Sequence, residues 1–314
     1  MQYLGIDTSN YTTSAALFDA DSNTVLQKKK LLPVKAGEKG LRQRDAVFHH
    51  TVQLPQVLSD LVSNCGASSV GAVGVSLFPR REEGSYMPCF LVGKSIAVSI
   101  SSVQNLPLHT FSHQEGHIAA ALYSAKQLPL LKEKFLAFHI SGGTTEALLV
   151  TPSEKHILTC ERIARSLDLK AGQLIDRVGV MLGLPFPCGA ALEKLSDKSD
   201  MQYRLKPTMK NMDCCLSGLE NQCRDLYEKG ESPENVAKYC MSGVFAVLMG
   251  MADALVAKYG DLPMIFSGGV ASNAMLKHEL TARYGAYFAE PAFSADNAAG
   301  IAVLTAIQEK GIVL

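Results

Sequence analysis

Two histidines four positions apart open an apolar segment of this chain. Residues spaced by four lie on one face of a helix, so His113 and His117 can present two imidazoles to one metal ion. Ser112 is a predicted N-cap, and Glu115 completes the capping-box pattern three residues later. A bound metal needs at least one further protein ligand and, for chemistry, an open position. The rest of the chain must therefore supply that ligand.

Three acids are candidates for the third ligand. Asp296 directly precedes a predicted C-terminal helix, and Asp7 and Asp176 also stand at boundaries of predicted elements. Spacing alone does not choose among them, and Asp296 is equally explained as a helix N-cap. Asp7 is in addition a candidate for a catalytic role.

Peptide hydrolysis is disfavoured by the residues around the two histidines. A zinc-peptidase helix carries its general-base glutamate directly after the first histidine, where this chain has Gln114. Glu115 comes one position too late, and Gly116 weakens a helix interior.

Three polar turns follow predicted strands and could hold a nucleotide. Residues 3–18 form a strand, a hydroxyl-rich turn and a second strand, and residues 135–150 repeat this plan around Gly142-Gly143. Residues 264–273 run from a strand through a second glycine pair into a helix. Paired glycines let a ligand approach the backbone and leave amide groups facing it. The repetition predicts two related lobes with a nucleotide between them.

The elements that must position these residues alternate along the chain. Further strands are predicted at 70–77 and 106–110, and helices at 50–62, 90–101, 173–182, 233–259 and 297–308. This alternation predicts an α/β architecture with helices packed on sheets.

Composition sets limits on function. The 314 residues are 47% hydrophobic, which is enough for one large or two smaller cores, and the formal net charge is zero. The eight cysteines form no metal-binding or disulfide pattern, so we expect a reducing, cytoplasmic environment. We also expect no secretory signal, and no apolar run of membrane-spanning length.

One short stretch is strongly basic and contains a single acid, Glu38. Two interpretations remain open: a solvated edge hairpin, or a surface that contacts a phosphate backbone. Its basic residues are Lys28, Lys29, Lys30, Lys35, Lys39, Arg42 and Arg44.

Five motifs together resemble one family, the tRNA threonylcarbamoyladenosine synthases of the TsaD type, formerly called O-sialoglycoprotein endopeptidases. The resemblance covers nearly the whole chain. The segment 113–117 matches the family pattern H-x-E-G-H, and 268–273 matches G-G-V-A-A-N. The other three are 140–145, resembling V-S-G-G-H-T; 176–189, resembling D-K-V…L-G-L-x-Y-P-G-G; and 295–299, resembling T-D-N-A-A.

The resemblance implies a two-lobed fold of the actin, sugar-kinase and Hsp70 (ASKHA) type with a nucleotide cleft between the lobes. The N-terminal lobe would be 1–131 with the terminal helix 297–314 packed on it, and the C-terminal lobe 132–296. Carried over by motif position, the metal ligands, for iron or zinc, would be His113, His117 and Asp296. The residues holding ATP, AMP or threonylcarbamoyl-AMP would be His139, Ile140, Ser141, Gly142, Gly143, Asp176, Gly189, Glu193 and Asn273.

The chain also departs from the family pattern. The first hairpin, 7–13, lacks two acids of the family's E-T-S-C-D-E-T. Charged residues fill the loop 78–86, where the family has G-P-G-L-x-G-S-L. Thr144 replaces a histidine, and Glu220 replaces a lysine. The metal and nucleotide determinants are kept better than their surroundings, as in a divergent paralogue.

The sequence therefore carries two main hypotheses. The first is a metal-dependent threonylcarbamoyl, or related carbamoyl, transferase that uses an acyl-adenylate and modifies tRNA. The alternative is a nucleotide- and metal-binding paralogue without transferase activity that acts as a partner or regulatory module. A small-molecule kinase of the same fold ranks below both. The resemblance implies a heterodimer with a related paralogue, or a homodimer, and no membrane association.

Overall fold

Two five-stranded sheets with the same strand order organise the chain. The structure, a computed structural model, describes residues 1–9, 11–33, 41–63, 69–294 and 297–311. The strands are β1 (Gln2–Asp7), β2 (Thr12–Asp19), β3 (Thr24–Leu31), β4 (Val70–Phe78), β5 (Leu108–Ser112), β6 (Phe135–Ile140), β7 (Thr145–Ser153), β8 (Ile157–Arg165), β9 (Met209–Lys210), β10 (Asp213–Cys214), β11 (Met264–Ser267) and β12 (Tyr287–Phe288). The helices are α1 (Gln43–Val62), α2 (Phe90–Gln104), α3 (His113–Ser124), α4 (Ala171–Met181), α5 (Gly189–Ser196), α6 (Ser217–Glu228), α7 (Pro233–Tyr259), α8 (Ala274–Tyr284) and α9 (Ala298–Lys310).

The first sheet has the order β3-β2-β1-β4-β5. Strands β1, β2 and β3 form an antiparallel meander, and β4 and β5 extend the sheet in parallel. Helix α1 packs on β2 and β3 and α2 packs on β4, whereas α9 packs on β1, β2 and β4. Every residue of α9 from Ala298 to Ile307 is buried, which explains its small and apolar sequence.

The second sheet has the order β12-β11-β6-β7-β8. Read along the chain, its first three strands are neighbours and its last two extend the other edge, as in the first sheet. Strands β6 and β7 are antiparallel, and β6, β11 and β12 are parallel. The predicted repetition of a strand–turn–strand unit is therefore confirmed, and so is the α/β class.

Contacts divide the chain into two units. Unit 1 comprises Met1–Glu133, Thr151–Cys160 and Ala292–Leu314, and unit 2 comprises Lys134–Val150 and Glu161–Pro291. The tip of the β7–β8 hairpin thus belongs to unit 1, as does α9.

Helix α7 forms the centre of unit 2. Ser232 caps it by accepting the Asn235 amide, and Pro233 stands at its first position, where no amide hydrogen is needed. It packs against α4, α5 and α6. Our expectation that no apolar run reaches membrane-spanning length is wrong for this helix, because its length and composition would suffice. Most of its apolar window is buried in the unit 2 core, which requires the same composition.

Candidate functional site

The start of α3 has the predicted capping box. The Ser112 hydroxyl accepts the Glu115 amide at 3.1 Å, and the Glu115 carboxylate accepts the Ser112 amide. These bonds satisfy two amide groups that the first turn of a helix leaves without partners. The capping box therefore fixes the first residue of α3 at His113, and with it the side of the helix on which the His113 side chain lies.

His113 and His117 lie together on one face of α3. Their ring centroids are 4.7 Å apart. The Nδ1 atom of His113 is 3.2 Å from Oδ2 of Asp7, at the end of β1. Its Nε2 atom is 2.9 Å from the side-chain nitrogen of Asn297, which directly precedes α9. Segments more than 100 residues apart thus meet around one imidazole.

Small residues allow α9 to come this close. A Cβ atom at Gly300 would lie 1.9 Å from the Gly116 carbonyl oxygen, so the backbones of α3 and α9 are in contact at this crossing. At Gly5, a Cβ atom would lie 2.3 Å from the Ala298 carbonyl oxygen. Gly116 costs helix propensity but permits the contact that brings Asn297 to His113.

The donor set at His113 fits a transition-metal site in part. Two imidazoles share a face, and a carboxylate hydrogen-bonded to one ring nitrogen is the arrangement that orients a ligating histidine. Among the described residues, however, no three histidine, cysteine or acidic side chains converge on one point. Asp296 lies outside the described residues, Asp7 adjoins His113, and Asp176 belongs to unit 2. The third ligand therefore stays a prediction.

Asp7 is held as a carboxylate. It is 2% exposed and accepts hydrogen bonds from the Ser9 hydroxyl, at 2.6 Å, and the Ser76 hydroxyl. Burial by itself would raise the pKa of Asp7, but the neighbouring His113 and the two hydroxyls outweigh burial and lower it. A carboxylate with a lowered pKa and several donors is a weak base, so it suits orienting His113 better than accepting a proton.

A buried histidine lies behind this group. His50, on α1, is completely buried, and its Nδ1 atom is 2.8 Å from the Thr13 hydroxyl. That hydroxyl donates to Gln53, so it accepts from Nδ1 of His50. No described residue bonds the Nε2 atom. A second proton would have no acceptor, and burial lowers the pKa of His50 to about 4.

We expect the unfolding free energy to decrease by about 3 kcal/mol between pH 7 and pH 4 because of His50. The unfolded imidazole takes up a proton near pH 6.5, whereas the folded one resists until about pH 4. The contribution of His50 to the unfolding free energy is complete at pH values above the pKa of the unfolded imidazole, and it is lost as pH decreases toward the folded pKa. Asp7 affects the unfolding free energy in a separate pH range, below the pKa that its carboxyl has in the unfolded chain. Urea denaturation across this range should show a flatter profile for His50→Gln, and an unchanged slope would contradict the assignment.

Unit 2 contains a cavity of about 340 Å³ at the ends of its strands and the starts of its helices. It is lined by Gly142, Gly172, Ile175, Asp176, Pro187, Gly189, Ala190, Glu193, Met241, Gly269, Val270, Ser272 and Asn273. Five of the nine residues predicted to hold an adenylate are among them: Gly142, Asp176, Gly189, Glu193 and Asn273.

The other four predicted residues are not among those that line the cavity. Ile140 is fully buried in the unit 2 core. The Nδ1 atom of His139 is 3.1 Å from the Ser267 hydroxyl, which itself donates to the Phe138 carbonyl. Ser141 closes the glycine turn, because its amide donates to the Thr144 carbonyl at 2.7 Å and its hydroxyl accepts the Thr144 amide. Gly143 is exposed at the tip of that turn.

Glycines shape the cavity in two ways. A Cβ atom at Gly142, Gly189 or Gly269 would meet no atom within 4 Å, so these positions border open space that a ligand can fill. At Gly172, a Cβ atom would lie 2.6 Å from the Gly142 backbone, so the start of α4 packs directly on the glycine turn. The cavity is therefore bordered by closely packed backbone at Gly172 and by backbone without side chains at the other three glycines.

Two carboxylates connect helix starts around the cavity. Asp176 accepts the Cys188 amide at 2.8 Å, just before α5, and Glu193 accepts the Ala274 amide at 3.0 Å, at the first residue of α8. Each carboxylate has a second oxygen that can accept from a ligand hydroxyl. The nearby helix starts favour negative charge. A nucleotide, with ribose hydroxyls and phosphate, matches this set of groups.

Some functional candidates were missed in the sequence. Gly172, Ile175 and Met241 line the cavity without having been predicted, and only Gly172 carried a signal, since it directly precedes the predicted helix 173–182. Arg81, in the loop 78–86, also went unrecognised. Its guanidinium contacts both carboxylate oxygens of Glu115 at 3.1 Å. The charged loop is therefore fastened to the H-x-E-G-H segment.

The acid at position 220 is compensated in the structure. Glu220 pairs with Arg177 at 3.1 Å and with Arg224 at 3.2 Å. Position 177 is a lysine in the family pattern. The negative charge of Glu220, which replaces a lysine of the family pattern, is therefore paired with the positive charges of two arginines.

The comparison with known proteins identifies the family. A family model described as TsaD, tRNA N6-adenosine threonylcarbamoyltransferase, matches residues 24–303. The chain belongs to this family. The threonylcarbamoyltransferase of Methanopyrus kandleri (strain AV19) is 26% identical over 287 residues, which cover 90% of this chain and 80% of that protein. The predicted family membership is confirmed.

Solved structures establish the fold. Full-length HypF in its phosphate- and nucleotide-bound form matches with a TM-score of 0.60 and 14% identity, covering 98% of this chain and 56% of that one. A ROK-family glucokinase from Streptomyces griseus, in complex with glucose and AMPPNP, matches with a TM-score of 0.50 and 11% identity, over 98% of this chain and 99% of that one. The ASKHA-type fold is confirmed.

Proposed function

We propose that this chain is a threonylcarbamoyl, or related carbamoyl, transferase that takes the acyl group from an acyl-adenylate and delivers it to an adenosine amine of tRNA. The unit 2 cavity carries this proposal, because five residues predicted from the motifs border it and its groups suit an adenylate. Family membership supports tRNA as the acceptor.

The residues of the cavity have definable tasks in this reaction. Asp176 and Glu193 accept hydrogen bonds from the ribose hydroxyls, and the first amides of α5, beginning at Gly189, stabilise the phosphate. The amine nitrogen forms a bond to the carbamoyl carbon, and the bond from that carbon to the phosphate oxygen breaks. AMP leaves with the bonding electrons, and the amine loses one proton. Positioning and charge stabilisation, rather than a side-chain nucleophile, supply the catalysis.

A divalent iron or zinc ion would be held by His113, His117 and Asp296, and when bound it would act as a Lewis acid toward an acyl oxygen. Asp7 would orient the His113 ring through Nδ1. We further propose that the chain works in the cytoplasm, as a heterodimer with a related paralogue or as a homodimer.

A nucleotide- and metal-binding role without transfer is the second candidate. The observation in its favour is the charged loop 78–86, whose Arg81 is fastened to Glu115 where the family pattern has small residues. A charged loop at this position would leave the nucleotide- and metal-binding residues unchanged and would alter how a tRNA acceptor approaches them.

We expect the purified chain to form threonylcarbamoyladenosine from threonylcarbamoyl-AMP and unmodified tRNA, and His113→Ala to reduce product at least about 100-fold. Nucleoside mass spectrometry measures product, with and without the partner proteins of the family. Metal analysis should give about one ion per chain, lost in His113→Ala and in Asp296→Ala. Nucleotide binding without product would favour the second candidate. Full metal content in Asp296→Ala would refute the three-ligand site.

A further inference from the structure

A second pocket lies in unit 1, and of its lining residues only Arg81 has been described above. It has a volume of about 250 Å³ and is bordered by the edge strand β5, the loop after β4 and the β7–β8 turn. It is lined by Arg81, Leu108, His109, Thr110, Phe111, Lys155, His156 and Gln308. All of these residues belong to unit 1.

Every polar side chain that lines this pocket can donate a hydrogen bond. Arg81 and Lys155 carry positive charge, the two histidines present imidazoles, and Thr110 and Gln308 add a hydroxyl and an amide. No aspartate or glutamate is among the lining residues. Such a lining offers hydrogen-bond donors and positive charge, the groups that an oxyanion requires.

The acids closest to the pocket are already engaged by its basic residues. Glu115 is 2% exposed and receives Nε and one terminal nitrogen of Arg81. Glu309, on α9, pairs with Nε2 of His109. An arginine has five N–H groups, so the fork to Glu115 leaves three for another acceptor. Lys155 adds a further charge on the opposite turn.

These charges change the pKa of His156. Burial lowers the pKa of His156 first, Arg81 and Lys155 lower it further, and Glu115 opposes the shift. Positive charge therefore acts on an imidazole that is neutral at pH 7. An anion beside it would reverse this effect and favour the protonated ring.

The turn that carries these groups has a defined conformation. The His156 amide donates to the Ser153 hydroxyl at 3.3 Å, and Ile157 has φ of 65°. A β-branched residue rarely adopts this left-handed region, so surrounding contacts must hold the turn.

We propose that this pocket binds one phosphate group through Arg81, Lys155 and His156. The site goes beyond the proposed transferase reaction and does not depend on it. Its occupant touches the same guanidinium that holds Glu115, so binding is linked to the start of α3, where His113 and His117 stand. The phosphate can be a free ion or part of a ribonucleotide chain, and both present the same oxygens.

The test is titration of the full-length chain with inorganic phosphate by calorimetry. We expect Lys155→Gln and His156→Gln each to weaken binding about tenfold or more, because each removes a charge-assisted hydrogen bond. Lys229→Gln, an exposed lysine of unit 2, is the matched control and should bind as the parent does. Arg81→Gln also releases Glu115 and could unfold α3, so the other two variants decide. Absence of binding at millimolar phosphate, or equal binding in all variants, overturns the proposal.

A second measurement tests the part played by His156. Sulfate has the shape of phosphate but does not titrate between pH 8 and pH 5. Its affinity should increase as pH decreases, and His156→Gln should lose this increase while a folded protein is retained. The charges that act on His156 come from Arg81, Lys155 and Glu115. His109, which pairs with Glu309, is the other imidazole of the lining and is present in both proteins. Histidine is the side chain whose charge ordinarily changes between pH 8 and pH 5, so the difference between the two proteins reports His156. A parallel increase in both proteins would refute the role of His156.

The source of the phosphate is decided by comparing ligands. If the pocket serves RNA, unmodified tRNA should compete with sulfate, and Lys155→Gln should reduce the salt dependence of tRNA binding. If it serves a free ion, inorganic phosphate should bind while tRNA binding is the same in Lys155→Gln and the parent. Either result supports the oxyanion site, and loss of transferase activity alone would affect neither.

Discussion

Gly300→Ala should destabilise the folded chain by about 3–5 kcal/mol. The new Cβ atom would lie 1.9 Å from the Gly116 carbonyl oxygen and 2.7 Å from the Ala120 amide nitrogen. Both are backbone atoms of α3, so no side chain can rotate away, and the two helices must separate. Typical domains are stable by only about 5–15 kcal/mol, so this is a large fraction of the total. Denaturation in urea measures the change.

The control for this prediction is Gly218→Ala on α6. A Cβ atom there meets nothing within 4 Å, so alanine should be neutral or stabilise by up to about 1 kcal/mol through helix propensity. Separation of the helices would also move Asn297 away from His113. If Gly300→Ala were as stable as the parent, the close crossing of α3 and α9 would be wrong.

Gly189→Val should abolish nucleotide binding and leave the fold intact. Gly189 is the first residue of α5 and borders the cavity, and its Cβ position is open within 4 Å. The isopropyl group would therefore occupy ligand volume instead of clashing with protein. We expect AMP affinity to decrease about 100-fold or more, and stability to change by less than about 1 kcal/mol. Calorimetry with AMP and thermal denaturation measure the two quantities.

Gly218→Val is the matched control, since it places the same side chain near the start of another helix outside the cavity. It should bind AMP as the parent does. Normal binding by Gly189→Val would show that the nucleotide is held elsewhere. Loss of binding together with unfolding would instead show that the position is structural.

Local chemistry was readable from the sequence. The capping box at Ser112 and Glu115, the pairing of His113 with His117, and the glycine turns at 142–143 and 268–269 involve residues within a few positions of one another. Short-range hydrogen bonds and helix periodicity determine such features, so residue order is sufficient. The repeated strand–turn–strand plan followed from the same local patterns and predicted two related lobes, whereas the equal strand orders of the two sheets were established only by the structure.

Only the tertiary structure decided which distant groups meet. Asp7 reaches His113 because β1 lies next to β4, and Asn297 reaches it because glycines let α9 touch α3. Arg81 reaches Glu115 across a loop that the family pattern fills with small residues. Such contacts depend on the packing of segments far apart in sequence, where a change of one small residue decides whether two backbones can touch. Asp296 remains a ligand predicted from its motif. Asn297, the next residue in the sequence, contacts the His113 ring through its side-chain nitrogen.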